Sequence, residues 1–476
     1  MTNIEKMFIN GEWREGETSY ELKSPYNRDK VAQVSFSTKE DVFEAIESAK
    51  LAQEKMKALT ALERSTILEK VAHLLEEQFE ECALILTKEN AKPLKSARGE
   101  ILRTIETYKF AAEEAKKLTG ETIPMDAAKG GKGRFGFTRR EPVGVIGAIT
   151  PFNFPFNLVA HKLGPAFAAG NTLILKPASQ TPLSALKTAE IFEQAGLPAG
   201  ALNVVIGKGG DIGDILVTHP DIKLITFTGS LEVGLDIKAK SGLKKSTLEL
   251  GSNSAVVIDD VEDIQSVANR CVEGAFTFAG QVCISLQRIF VKKELYEEFS
   301  QAMLQSVEKW KIGDPANEST DMSALIQEKE AIRAEEWIEE AKNAGAEILC
   351  GGKREGSVID PTIIAKVPAH VSLNCKEAFA PIVLINTYEK FEEALRYVND
   401  SQYGLQAGVY TTSIEKSFQA IEQIEAGGVI INDIPSFRVD QMPYGGVKNS
   451  GTGREGIKYA TEEMTELKLV VFKVSD

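Results

Sequence analysis

Four short apolar runs set the rhythm of the chain beyond residue 143: VGVIGAIT (143–150), TLILK (172–176), LNVVI (202–206) and IKLITF (222–227). Each is followed by a helical pattern opening near Gly, Pro, Ser or Asp. Near-continuous apolar runs are strands buried on both faces, and strand–helix alternation implies a parallel sheet with right-handed crossovers. Ligands of such sheets sit beyond the carboxyl ends of the strands. A second alternating block starts at AVVID (255–259), continues through a helical stretch at 261–279 and the strand RIFV (288–291), and reaches strands near EILC, PIVLINTY, AGVY and GGVIIN. The pattern predicts two α/β units.

The first hundred residues predict a strand pair followed by helices. Thr38 and Asp41 form a capping-box start to a helix over 39–57, with Val42, Ala45, Ile46 and Ala49 on one face. Residues 120–140 and MTELKLVVFK (464–473) alternate as strands but lie outside both α/β units, so they are expected to pair into an exposed ribbon that invites another subunit.

Composition narrows the function. A net charge of −14 over 476 residues, with no basic run, excludes attraction to duplex nucleic acid or an anionic membrane. No apolar stretch approaches the ~20 residues needed to span a bilayer, and the first residues lack an apolar leader core, so a cytoplasmic protein is expected. Five scattered cysteines and four histidines, none at metal-ligand spacing, give neither a disulfide framework nor a metal site.

Among the cysteines, Cys283 in FAGQVCIS follows a helical pattern and Gly280; the other four are expected to be ordinary buried thiols. Glu249 in LELGSNS ends a β-like run between leucines, where apolar surroundings raise a carboxyl pKa and make it a usable base. The competing reading is a solvent-facing strand-end glutamate. Asn153, held among Pro and Phe in ITPFNFPFNL, suits a preorganised oxyanion donor or, equally, a turn-satisfying amide. GSLEVG (229–234), GKGGDIG (207–213) and Lys176 at the end of TLILK stand at successive strand ends, where a nucleotide cleft is expected.

Together PFNFP, KPAS, FTGS, LELGS, GQVC, EAFAP (377–381) and PYGGVKNSG (443–451) resemble, in order and spacing, the aldehyde dehydrogenase superfamily, and the resemblance covers nearly the whole chain. It implies a Rossmann-type cofactor domain (1–118 and 140–248), an α/β catalytic domain (249–442) and an oligomerisation ribbon (119–139 and 456–476). It also implies a homodimer or homotetramer and oxidation of an aldehyde to an acid with NAD or NADP. By motif, Cys283 resembles the nucleophile, Asn153 the oxyanion donor and Glu249 the base that hydrolyses the thioester. Lys176 and Glu377 resemble the ribose-holding pair and Phe379 the ring beside the nicotinamide, with Ile149, Thr150, Pro151 and Phe152 lining its pocket. Gly229 and Ser230 would meet the pyrophosphate, and Gly209, Gly213 and Val233 the adenosine; Ala178, Ser179, Phe227 and Leu250 complete the cofactor set.

Three departures stand out: Ala380 for the usual glycine of EAFAP, Ser252-Asn253 for Gly-Lys after LELG, and Ser179 for the glutamate common in NAD-preferring members. The small Ser179 leaves room for a 2′-phosphate. SNS and GQVCIS look most like the lactaldehyde dehydrogenase branch, which handles small hydroxylated or anionic aldehydes (lactaldehyde-like, sulfolactaldehyde-like or semialdehyde). Arg103 and Arg438 suit an anionic tail, with ion-paired or surface arginines as the competing reading, and Phe154 an aromatic wall. The alternatives are a non-phosphorylating glyceraldehyde 3-phosphate or succinate-semialdehyde enzyme, an inactive cofactor-binding subunit, and a thiol hydrolase or esterase. Val282 stands where the glyceraldehyde 3-phosphate branch has arginine, which ranks that branch lower.

Overall fold

In the computed structural model, which describes residues 4–474, five strands pair in parallel in the order Leu202–Val204, Thr172–Lys176, Val145–Ile149, Ile222–Thr228 and Lys245–Glu249. Met7–Ile9 and Glu12–Arg14 extend one edge antiparallel, and Gly451–Thr452 closes the other beside Glu249. The register sets the site: Ile149 lies opposite Lys176, Phe227 opposite Ile149, and Thr228 opposite Glu249. The carboxyl ends are therefore level, and the residues that follow them meet in one crevice.

A second sheet runs in the order Glu347–Cys350, Thr362–Ala365, Ile382–Tyr388, Arg288–Lys292, Ala255–Ile258, Gln406–Tyr410 and Gly428–Ile431; only the first strand is antiparallel. Helix Lys39–Ala58 carries the full Thr38/Asp41 capping box, and its buried Val42, Ala45, Ile46 and Ala49 pack on the first sheet with Val145 and Ile174. Arg134–Pro142 pairs antiparallel with Thr465–Lys473 over nine residues, leaving Leu467, Leu469 and Val471 exposed. No helix among the described residues is long and apolar enough to cross a membrane.

Two expectations change. The helix expected over 261–279 is Ile264–Phe276, because Phe278 (φ 50°), Ala279 (φ 53°) and Gly280 (φ 69°) all turn left-handed. A Cβ on Gly280 would stand 2.2 Å from the Ala380 carbonyl oxygen, so the tight fold-back demands glycine there. Nor are four cysteines ordinary buried thiols. Cys82 and Cys271 are, but Cys350 is half-buried and Cys375 is exposed, at the end of the one-turn helix Ser372–Cys375 before a charged turn.

Glu89, near the end of helix Phe79–Asn90, ties two helices together. Its buried carboxylate accepts the Leu183 and Ser184 N–H groups (2.8 and 3.0 Å) in the first turn of helix Pro182–Ala195, and the Ser184 hydroxyl. Burial pushes its pKa to about 8 against those hydrogen bonds. Because this lies above the ordinary 4.5, the folded state holds a proton that the unfolded chain releases, and the associated stability is lost as pH rises through about 8. Glu89→Gln is expected to flatten the fall of the urea midpoint across that window, whereas Glu89→Ala, which strands two N–H donors, is expected to cost about 1–3 kcal/mol.

Candidate active site

Beyond the fold-back at Gly280, Cys283 stands in a wall shared by two cavities of about 370 and about 580 Å³. Asn153 and Thr228 are the other shared residues. A group at Cys283 can therefore meet one ligand from each side.

Glu249 reaches the smaller cavity from its strand end, and neither of its buried carboxylate oxygens has a hydrogen-bond partner. Burial, then the neighbouring Glu455, raises its pKa well above 4.5. Gly445 makes room for it, since a Cβ there would stand 2.8 Å from Glu249 Oε1. Glu455 is its opposite. Burial alone would raise its pKa, but Lys162 (3.1 Å) and Arg438 (3.0 Å) hold it down to about 2. Of two adjacent carboxyls, one keeps its proton and the other its charge. Burial, followed by Glu377 and Glu249, likewise pushes the Cys283 thiol far above its ordinary range.

Asn153 Nδ2 donates to the Gln281 carbonyl (2.9 Å), and its buried Oδ1 has no partner. Its own carbonyl accepts from Lys92 Nζ at 2.6 Å. Buried Lys92 is ion-paired with Glu100 and sits over the Phe154 and Phe278 rings (3.8 and 4.4 Å). Glu100 in turn accepts the Phe156 and Asn157 N–H groups at 2.9 and 3.2 Å. The pair clamps both ends of the Asn153 loop, so the amide is preorganised. Sequence reasoning missed Lys92 and Glu100; the one available signal was the helical spacing from Glu100 to Arg103, which puts both on neighbouring turns of Leu94–Ala115.

The larger cavity collects Pro151, Phe152, Gly229, Ser230, Glu377 and Phe379. Glu377 accepts the Ser252 N–H (3.0 Å), and burial raises its pKa to about 7. Gly251 makes room for it, because a Cβ there would stand 2.3 Å from Glu377 Oε2. Phe379 is held left-handed (φ 47°), its ring edge-on to Phe152 at 5.9 Å. Buried Lys176, lowered to about 8 by desolvation, has only a long 3.4 Å contact with the Pro177 carbonyl. A Cβ on Gly213 would stand 4.0 Å from its side chain, and the nearby Thr150 hydroxyl is buried without a partner.

Other expected cofactor residues lie around this crevice without lining either cavity. Ile149 ends its strand; Ala178 and Ser179 are half-buried, and Ser179 Oγ donates to the Gly207 carbonyl (3.1 Å). Gly209 is exposed, Phe227 packs under Gly229, and Val233 is exposed with its N–H on Ser230 Oγ (3.4 Å). Leu250 instead lines the smaller cavity.

Phe154, Arg103 and Arg438 line the smaller cavity. Both arginines are also ion-paired, so the two readings of them hold together. Arg103 grips Asp440 with two hydrogen bonds (Nε to Oδ2 3.1 Å, an Nη to Oδ1 2.7 Å), which leaves its other edge open; its side chain is 32% exposed. Arg438, 8% exposed, pairs with Glu455 through one Nη and lies 3.7 Å over the Tyr444 ring, and its buried Nε has no partner. Asp440, His161, Lys162, Glu455 and Tyr444 were not singled out from sequence: the Asp440–His161 and Lys162–Glu455 pairs join segments hundreds of residues apart, and the contact of Tyr444 with nearby Arg438 is made only by the fold.

The Aldehyde dehydrogenase family model matches residues 13–470. A 3-sulfolactaldehyde dehydrogenase of Priestia aryabhattai is 45% identical over 98% of both chains, and a lactaldehyde dehydrogenase of Methanococcus aeolicus 41% identical over 98% of this chain and 99% of that one. The crystal structure of aldehyde dehydrogenase 21 from Physcomitrella patens, in complex with the reaction product succinate, superposes with a TM-score of 0.97 at 41% identity, covering 99% of this chain and 98% of that one. From its strand-end crevice to its full-length match, this chain belongs to the aldehyde dehydrogenase family.

Proposed function

We propose that this enzyme oxidises a small aldehyde with an anionic tail to the carboxylic acid, through a covalent adduct on Cys283, with NAD or NADP as oxidant. The observation that carries the reading is the position of Cys283 in the shared wall of two cavities, one bordered by arginines and unpartnered Glu249, the other by Glu377 and Phe379. The relatives named for sulfolactaldehyde, and the neighbour holding succinate, support an anionic tail; the one named for lactaldehyde supports a short hydroxylated chain.

The Cys283 thiolate attacks the aldehyde carbon, and the C=O electron pair moves to oxygen beside the Asn153 amide and the Cys283 N–H. NAD or NADP, which Lys176, Glu377 and Phe379 would hold, would supply the two-electron acceptor for the aldehydic hydrogen, so that the oxidised substrate would remain on Cys283 as a thioester. Glu249 then takes a proton from water, which attacks the thioester carbon and expels the Cys283 thiolate. Open hydrogen-bonding capacity on Glu377, Lys176 and the Thr150 hydroxyl supports a hydroxyl-rich dinucleotide along the strand ends. The exposed apolar residues of Thr465–Lys473 support a homodimer or homotetramer joined through the ribbon.

Cys283→Ala is expected to abolish aldehyde-dependent reduction of cofactor while cofactor binding, followed by fluorescence titration, persists; retained turnover overturns the nucleophile. Glu249→Gln is expected to give one rapid burst of reduced cofactor and then stall. Both groups act deprotonated and both are raised in pKa, so wild-type turnover rises with pH, and the burst rate of the Gln variant is expected to keep only the Cys283 dependence. Arg103→Met is expected to raise KM for anionic aldehydes about tenfold or more and leave neutral ones nearly unchanged; equal effects reject the anion site.

A further inference from the structure

Four cations line the smaller cavity: Lys92, Arg103, Arg270 and Arg438. Each already has a carboxylate. Lys92 pairs with Glu100, Arg103 with Asp440, Arg270 with both Asp433 and Glu273, and Arg438 with Glu455. Lys162, behind the wall, shares Glu455. The chamber thus offers an anion shaped hydrogen-bond donors but little uncompensated positive charge.

Asp440 is the carboxylate that holds Arg103, while Asp433 and Glu273 both serve Arg270. Glu100 clamps the Asn153 loop and Glu455 faces Glu249, whereas Asp440 touches no group placed in the covalent chemistry. It is 5% exposed and fully engaged: Oδ1 accepts from Asn157 Nδ2 (3.0 Å), His161 Nε2 (2.9 Å) and Arg103, and Oδ2 accepts from Arg103 Nε. His161 Nε2 is also 3.2 Å from an Nη of Arg438, but a ring nitrogen that donates its proton to Asp440 has no lone pair left to accept from that arginine, so the ring joins the arginines by packing. Burial and the Arg438 charge push the His161 pKa below its ordinary value, so the imidazole adds no positive charge.

We propose that Asp440 sets the charge specificity of the cavity: by neutralising Arg103 while leaving one edge of its guanidinium open, it admits a singly charged carboxylate or sulfonate tail and rejects a doubly charged phosphate. A monoanion takes the open donors with modest excess negative charge. A phosphate ester, near −1.5 to −2 at neutral pH, brings a second charge that nothing in the wall offsets and that burial makes costly. This rests on the reading of Arg103 and Arg438 as the tail site.

The experiment compares kcat/KM for four short aldehydes that differ only in the tail: neutral, carboxylate, sulfonate and phosphate. Asp440→Asn keeps size and an acceptor oxygen but removes the charge. Its ratio of phosphate to sulfonate efficiency is expected to rise roughly tenfold or more, with the neutral aldehyde nearly unchanged. Loosening of Arg103 would affect both anions and cancel in the ratio, so an unchanged or lower ratio overturns the proposal. Should the variant not fold, the wild type gives a second test. Its KM for the phosphate aldehyde is expected to rise relative to the sulfonate as pH passes the phosphate second ionisation near 6; parallel profiles overturn the proposal. Arg103→Met separates the layers: equal losses for neutral and anionic aldehydes reject the tail site itself, whereas an anion-selective loss beside an unchanged Asp440→Asn ratio rejects only the role of Asp440.

Discussion

Charge without water is the constraint around which this site is built. The strand ends enclose carboxyls and cations in a chamber where an unpaired charge is costly, and nearly all of them are matched: Lys92 with Glu100, Arg103 with Asp440, Glu455 with Lys162 and Arg438. Glu249 is the carboxyl left over. Burial and the neighbouring Glu455 favour its protonated form over the pull of Arg438, Lys162 and Arg454, which suits the base role proposed for it. Cys283 is subject to the same pressure, so its thiolate is scarce and weakly solvated. We read the reactivity of the site in that contrast: Glu249 and Cys283 lack the charge partners that Lys92, Arg103, Glu455 and Arg438 have.

Backbone geometry makes that arrangement possible. Level strand ends bring Ile149, Lys176, Thr228 and Glu249 into one row. Two left-handed segments, Phe278 to Gly280 and Phe379, fold against each other where Gly280 meets the Ala380 carbonyl. The segment that leads to Cys283 and the EAFAP loop therefore share one strained contact. Strain of this kind persists only where surrounding packing over-determines it. Buried Phe278, Ala279 and Ala380 provide that packing.

The sheet strands were legible because a strand buried on both faces must be apolar throughout, and VGVIGAIT, TLILK and IKLITF leave no other reading. Cys283, Glu249 and Asn153 drew notice at strand or helix ends, but each alone had a competing structural reading, and the resemblance of their motifs to aldehyde dehydrogenases is what singled them out. What sequence could not give was pairing at a distance. Nothing local says that Asp440 meets His161 and Arg103, or that Lys92 reaches the Asn153 carbonyl. The early end of the helix at Phe276 was hidden for the opposite reason: Phe278 and Ala279 are ordinary helix formers, and only their contacts force positive φ.

The central claim is that the acyl group passes through Cys283 and waits there for Glu249. Mass spectrometry of the Glu249→Gln enzyme, quenched in acid after mixing with aldehyde and oxidised cofactor, tests it most directly. The account predicts an acyl mass increment on the peptide bearing Cys283, released by hydroxylamine as a thioester must be. An unmodified Cys283 peptide, or an increment on another residue while reduced cofactor accumulates, would contradict it.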